Sequence, residues 1–287
     1  MRILITGAYG LLGSSLKQIL NINHDVYNTG IHVPKNKKGF QLNIQDKVQV
    51  KNLVNFIKPN LIINLAAMTN VDLCETNYNL AEEVNINGVK NIYDSFNGKI
   101  IHLSTDYVFD GRDGPYSEED QVNPISIYGK TKLKSEEILL KRAENLILRA
   151  NVLYDNSSNN KANFLNWIIE NLEAKNQINI VDDQYNNPTW TMSFAKVINL
   201  CIENNIHGLF HWGDDSYLSR YEFSLKIAEK YNLDSSLIKK ITTEELGQIA
   251  PRPLKGGLKK ENLENILNIK APSVDDCLDQ IFLKKVK

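Results

Sequence analysis

The tightest constraint on this chain's fold sits at its beginning. A short β-branched run, residues 2–6 (RILIT), breaks at the glycines of TGAYGLLG and passes into apolar residues at helical spacing over residues 11–20. That order is strand, tight turn, helix, the opening of a βαβ unit. Glycines at 7, 10 and 13 permit the turn, let backbone approach a pyrophosphate and let the helix pack on the strand, while the helix N-terminus offers N–H groups and the positive end of a dipole. Gly7, Gly10, Leu11, Leu12 and Gly13 are therefore candidate dinucleotide-binding residues. Glycines alone would equally suit a turn that binds nothing; the flanking strand and helix favour a ligand.

The same rhythm continues downstream. Val26 and Tyr27 open a second strand, residues 48–57 read as a helix ending before Pro59, and residues 61–65 (LIINL) form a wholly apolar third strand. A helix over 81–96, a strand over 99–103, a helix after Pro124 and a strand over 146–148 follow. Apolar runs without alternation suit a parallel sheet covered on both faces, so the expected fold is α/β, a doubly wound NAD(P)-binding Rossmann sheet over residues 1–150. After Ala150 the rhythm loosens into an Asn-rich stretch, 156–163, then a helix over 164–173, a strand over 177–181 and helical pieces over 220–231, 243–246 and 274–282. Residues 151–287 are expected to form mainly a smaller α/β substrate lobe, with part of 182–212 able to return to the first domain.

Composition excludes several function classes. Lys and Arg number 33 against 34 Asp and Glu, a formal net charge of −1, so no whole-protein field exists to hold nucleic acid. No apolar stretch approaches membrane-spanning length, and the glycine-broken start lacks the basic region and cleavage site of a signal peptide. Cys74, Cys201 and Cys277 are far apart, without metal-ligand spacing and too few for a disulfide framework. A cytoplasmic protein with buried thiols, without metal and without a membrane or nucleic-acid partner, is expected.

A second constellation carries reaction chemistry. Tyr128 and Lys132 in YGKTK lie four residues apart on one helix face, and Ser104 and Thr105 end an earlier strand in HLSTDYVFDG. A phenol has a reference pKa near 10 and a neighbouring cation favours its ionised form, which would let Tyr128 exchange a proton closer to neutrality. Thr105 would hydrogen-bond a reacting carbonyl. A YxxxK pair alone also suits a solvated helix face; the Ser-Thr pair and the glycine turn favour catalysis.

STDYVFDG, YGKTK, NLAAMTNVDLCE, DQYNNPT and RPLKGGL occur in an order that resembles the dTDP-4-dehydrorhamnose reductase family, extended short-chain dehydrogenase/reductases, across essentially the whole chain. The GxxGxxG spacing is the short-chain variant of the glycine motif. The resemblance implies reduction by a nicotinamide cofactor of the C4 keto group of a nucleotide-linked 6-deoxyhexulose, for surface polysaccharide synthesis. It implies that Thr105 orients the keto oxygen, Tyr128 donates the proton, and Lys132 holds the ribose and tunes Tyr128. Leu65, Ala66 and Ala67 would run beside the cofactor, Asn43 and Ile44 would flank the adenine, and Asp106, Tyr107, Asn151 and Arg252 would line the sugar site. A homodimer is compatible with it.

The end of the second strand, Thr29-Gly30-Ile31, lacks the acid that NAD-preferring proteins place on the ribose, while His32, Lys35, Lys37 and Lys38 could neutralise a 2′-phosphate. NADPH is the expected cofactor; a plain basic loop and NADH remain the competing reading. The chain departs from the family at Val152, where rhamnose-forming members carry an aromatic residue, and at Lys255, Gly256 and Gly257, where they carry Asn, Ser and Arg. A different keto sugar, or GDP, CDP or UDP as the nucleotide, is compatible. The resemblance extends to the regulatory subunit of methionine adenosyltransferase, a non-catalytic alternative, and to nucleotide-sugar epimerases. Dehydratases place an Asp-Glu pair after the catalytic Thr, whereas Asp106 here precedes Tyr107.

Other features read as structural. Trp167, Trp190 and Trp212 lie in or beside apolar stretches and read as core, His102 as a satisfied buried imidazole, and Glu118, Glu119 and Asp120 as a solvated loop.

Overall fold

The backbone of β1 (Arg2–Thr6) lies inside a seven-stranded sheet that also contains β2 (Asp25–Gly30), β3 (Phe40–Gln41), β4 (Leu61–Asn64), β5 (Lys99–Thr105), β6 (Leu146–Ala150) and the strand Gly208–His211. The computed structural model describes residues 1–156 and 163–286. Most of the Asn-rich stretch 156–163 lies outside the described residues. Every pairing in the sheet is parallel, in the order Gly208–His211, β6, β5, β4, β1, β2, β3.

The apolar strands are explained by two covered faces. Ile3 and Ile5 of β1, Leu61 and Ile63 of β4, and Leu146 and Leu148 of β6 enter one core with α1 (Leu11–Leu20). Leu4, Ile62, Ile100 and Ile147 point the other way, to a core closed by α2 (Lys47–Ile57) and residues further along the chain. Alternate residues thus serve opposite layers. The chain builds β1, β2 and β3 outward on one side, then returns to lay β4, β5 and β6 on the other. The strand order reverses between β1 and β4, which opens a crevice at their C-terminal ends.

The stretch expected as one helix over 81–96 is instead three pieces. After α3 (Val71–Thr76) come α4 (Tyr78–Glu82), a π-helical turn Glu83–Asn87 and α5 (Gly88–Ser95). The wide turn aims Asn85 inward, where its Oδ1 accepts from Met68 N at 2.8 Å and its Nδ2 donates to Met68 O at 3.1 Å and Thr131 Oγ1 at 3.0 Å. Gly88 lets α5 close on Ile44, whose Cδ1 stands 2.7 Å from where a Cβ would be.

Beyond α6 (Ile127–Leu139), β6 leads to a second core. It joins α7 (Phe164–Glu173), the parallel pair Ile178–Val181 with Ile238–Ile241, α9 (Arg220–Lys230) and the helix Val274–Val286 through Leu165, Ile168, Phe223, Ile227 and Leu278. Between α7 and α9, α8 (Thr191–Glu203) crosses back to pack on α1, with Ser15 Oγ 2.7 Å from Thr191 Oγ1, and precedes the seventh strand.

Trp190 and Trp212 are buried, as expected, but Trp167 is 40% exposed on the outer side of α7, stacked on Phe164. Glu118 is not simply solvated: it accepts from His211 N at 2.9 Å and Asn262 Nδ2 at 2.8 Å, tying its loop to the sheet edge. The three cysteines are buried and free. Among the described residues no helix is long and apolar enough to cross a membrane.

Candidate active site

The crevice at the strand-order reversal is a cavity of about 880 Å³. Its glycine-lined end is set by three close approaches. Gly7 has φ +65°, and a Cβ there would stand 2.7 Å from Ala66 N, so the exits of β1 and β4 nearly touch. Gly10 N donates to Gly7 O at 3.0 Å, closing the turn. A Cβ on Gly13 would lie 2.3 Å from Ala8 O, so only glycine lets α1 lie this close. Gly10 caps α1 without any side-chain hydrogen bond, leaving the first-turn N–H groups to a ligand.

All the residues expected at the cofactor line this cavity: Gly7, Gly10, Leu11, Leu12 and Gly13 at one wall, and Asn43, Ile44, Leu65, Ala66, Ala67, Tyr128 and Lys132 around them. His32 lines it too, while Lys35, Lys37 and Lys38 are exposed on the loop beyond. Tyr9, which sequence reasoning did not single out, lies against Gly30 and donates from its hydroxyl to Lys38 O at 3.1 Å.

At the centre, β5 ends in Thr105 and α6 begins beside Tyr128. Ser126 caps α6 by accepting from Gly129 N at 3.2 Å, and a Cβ on Gly129 would lie 2.1 Å from Tyr107 O. That glycine allows the start of α6 to close on the turn after β5. The Tyr107 and Tyr128 rings meet edge to face at 5.6 Å, and Thr105 faces the Tyr128 phenol across the same part of the cavity.

The titration of this pair differs from expectation. Burial pushes the Tyr128 phenol above its ordinary value, with the Thr105 hydroxyl opposing and the Asp106 charge reinforcing the shift. Lys132 does not draw the phenol down. Its Nζ is turned to Leu103 O, at 2.6 Å, and to His102 Nε2, at 3.0 Å, and burial lowers it to about 8. Tyr128 therefore remains a phenol near neutral pH, the form that donates a proton.

Behind these groups is a satisfied polar layer. His102 is buried, as expected, with Nδ1 2.9 Å from Asn64 Nδ2 and Nε2 3.0 Å from Ser135 Oγ. Glu136, one turn beyond Lys132, forms a two-pronged pair with Arg149 at 2.7 and 2.9 Å and accepts from Ser104. The pair fixes α6 to β5 and β6 beneath Thr105.

Asp106, Tyr107 and Asn151 line the far part of the cavity. Burial raises the Asp106 carboxyl, while hydrogen bonds from Asn151 Nδ2 at 3.0 Å and Gly257 N at 3.3 Å favour its charge. Asn151 Oδ1 is buried without a partner among the described residues. Next to it Val152 holds φ +42°, a left-handed conformation unusual for a β-branched residue, and its carbonyl accepts from Thr189 N at 3.0 Å. Gly256 and Gly257, where the sequence departs from the reductase pattern, pack directly on Asp106. Arg252 is not on the cavity wall: it pairs with Asp72 at 2.7 Å, and its charge acts on the Tyr107 phenol. Arg220 is on the wall and was missed by sequence reasoning. The available signal was the Ser219-x-x-Glu222 capping box, which marks Arg220 as the first residue of a helix.

Residues 1–286 match the model of the RmlD substrate binding domain family. A dTDP-4-dehydrorhamnose reductase from Aggregatibacter actinomycetemcomitans is 31% identical, with 98% of each chain covered. Methionine adenosyltransferase 2 subunit beta from Xenopus tropicalis is 32% identical over 92% of this chain and 82% of its own. The crystal structure of a dTDP-4-dehydrorhamnose reductase from Bacillus anthracis in complex with NADP is 30% identical and superposes with a TM-score of 0.90 over 99% of each chain. This chain, with its glycine turn, STDYVFDG strand end and YGKTK helix gathered on one cavity, belongs to the RmlD substrate binding domain family.

Proposed function

We propose that the protein is a cytoplasmic NADPH-dependent reductase of the 4-keto group of a nucleotide-linked 6-deoxyhexulose. The observation that carries this reading is the convergence of Thr105 and a protonated Tyr128 on the cavity that the glycine turn also lines. The turn fits a dinucleotide pyrophosphate: no Cβ could stand at Gly7 or Gly13, and the α1 N–H groups are uncapped. Residues 1–150, joined by the strand Gly208–His211, form the dinucleotide-binding half, and most of 151–287 the substrate lobe.

In this reading NADPH, when bound, supplies the hydride for the carbonyl carbon. Thr105 donates a hydrogen bond that orients the carbonyl oxygen, and Tyr128 passes its proton to that oxygen as negative charge develops there. Lys132, held by Leu103 O and His102, holds the ribose and supplies positive charge beneath Tyr128. Asp106 and Asn151 present acceptors to sugar hydroxyls, and Arg252 braces Tyr107 rather than touching substrate.

The test is incubation of the purified protein with NADPH and a panel of dTDP-, UDP-, GDP- and CDP-linked 4-keto sugars, following the loss of nicotinamide absorbance. Consumption with one or more members is expected. The similarity to methionine adenosyltransferase 2 subunit beta supports a second reading, a nucleotide-binding regulatory subunit. No NADPH consumption with any sugar, together with stable binding to a methionine adenosyltransferase catalytic subunit, would replace the first reading by the second.

A further inference from the structure

The arginines near the crevice differ in one respect. Arg149 is neutralised by Glu136 and Arg252 by Asp72. The Arg220 guanidinium makes no ion pair and donates no side-chain hydrogen bond among the described residues, although the residue is half-buried and lines the cavity. A half-buried guanidinium that faces a cavity with its donors uncommitted to protein is placed to meet an anionic ligand.

Its placement is fixed rather than incidental. Ser219 and Glu222 cap each other at the start of α9, and Arg220 N donates to Gln184 O at 3.1 Å. The guanidinium carbon stands 5.2 Å over the Phe164 ring, which holds its plane without consuming its donors. The nearest negative group, Asp106, is already engaged by Asn151 and Gly257, and burial drives it toward its neutral form. This anion-seeking end, with Phe164, Tyr107 and Asn151, is distinct from the uncapped α1 N-terminus and His32 at the cofactor end.

We propose that Arg220 binds the diphosphate of the nucleotide-linked sugar, as an anion subsite separate from the glycine turn; the identity of the diphosphate rests on the reductase reading above. A guanidinium fork can meet two phosphate oxygens in one plane.

The test compares wild type with Arg220→Met and Arg220→Lys, each saturated with NADPH, for binding of dTDP, UDP, dTMP and thymidine by calorimetry. Wild type is expected to bind the diphosphates more tightly than thymidine. Arg220→Met is expected to weaken diphosphate binding about tenfold or more, leave thymidine nearly unchanged and leave NADPH affinity intact. Arg220→Lys, keeping charge but not the fork, should fall between. Intact NADPH binding by the variants reports that they fold.

Unchanged diphosphate affinity in Arg220→Met overturns the proposal, as does a matching loss of NADPH affinity, which would place Arg220 at the cofactor. Wild type that binds dTDP through Arg220 but reduces no keto sugar leaves the subsite standing and removes only the ketoreductase reading. Wild type that binds no nucleoside diphosphate overturns the subsite whatever its activity.

Discussion

The Lys132 ammonium lies 3.0 Å from His102 Nε2 and donates to the Leu103 carbonyl at 2.6 Å. A buried lysine near a catalytic tyrosine is thus held by a neutral ring and a carbonyl, with the Glu136 charge further along its own helix. While Lys132 carries its proton, His102 must offer it the Nε2 lone pair.

A pH dependence follows. Burial lowers Lys132 to about 8, so its positive charge is present below that value and lost above it. The kcat/KM for keto reduction should be level near neutrality and fall as pH rises past about 8. His102→Leu should move that falling limb and raise the KM for NADPH, while His102→Gln, which can still accept from Lys132, should restore part of both. A profile unchanged in His102→Leu would show that the contact has no part in positioning Lys132.

Tyr128→Phe keeps the ring that packs against Tyr107 and removes only the proton donor. The rate should drop by about 10²- to 10⁴-fold with NADPH affinity retained. Turnover near wild type would take Tyr128 out of the proton-transfer role.

Gly13→Ala places a methyl 2.3 Å from Ala8 O, against backbone that cannot swing away. Separation of α1 from the turn should cost about 1–3 kcal/mol and weaken NADPH. Calorimetric Tm and a fluorescence titration of NADPH read both effects. An unshifted Tm would mean the turn tolerates more slack than its spacing shows.

Acid should destabilise the fold through two buried imidazoles. Burial and the Lys132 charge hold His102 well below its usual value, and burial with the Arg149 charge lowers His211 to about 3. Above pH 6.5 both are neutral folded or unfolded. As pH falls from 6.5 toward 3, the unfolded chain takes up protons that the folded chain refuses, so stability declines by up to about 1.4 kcal/mol per pH unit for each such group. Urea unfolding at pH 7, 6 and 5 measures the slope, and His211→Gln should flatten it.

The parts of this architecture that were readable from the chain are those written locally. Ile3 and Ile5 opposite Leu4 announce a strand covered on two faces, and the 164–173 helix matches its apolar spacing. The wide turn at Glu83–Asn87 was not readable, because one extra residue leaves the neighbouring helical periods nearly intact. The apolar surroundings of Trp167 suggest core, but it falls on the side of α7 turned from Phe223 and Ile227. At the site, Thr105, Tyr128 and the glycines belong to motifs contiguous in sequence. Arg220 and Arg252 owe their placement to which charges tertiary packing brings beside them: Asp72 pairs with Arg252, and among the described residues no carboxylate forms an ion pair with Arg220.

The strand Gly208–His211 lies beside β6 in parallel register, Gly208 with Leu146 and His211 with Arg149. The first 150 residues are consequently not a severable module. A fragment ending there would turn β6 into a free rim, with Leu148 stripped of the α8 side chains that cover it beside unanswered backbone donors and acceptors, and such a rim invites strand exchange between fragments. Any shortened form meant to retain dinucleotide binding has to carry the later strand with it, either by fusion of residues 191–211 or by keeping the chain whole.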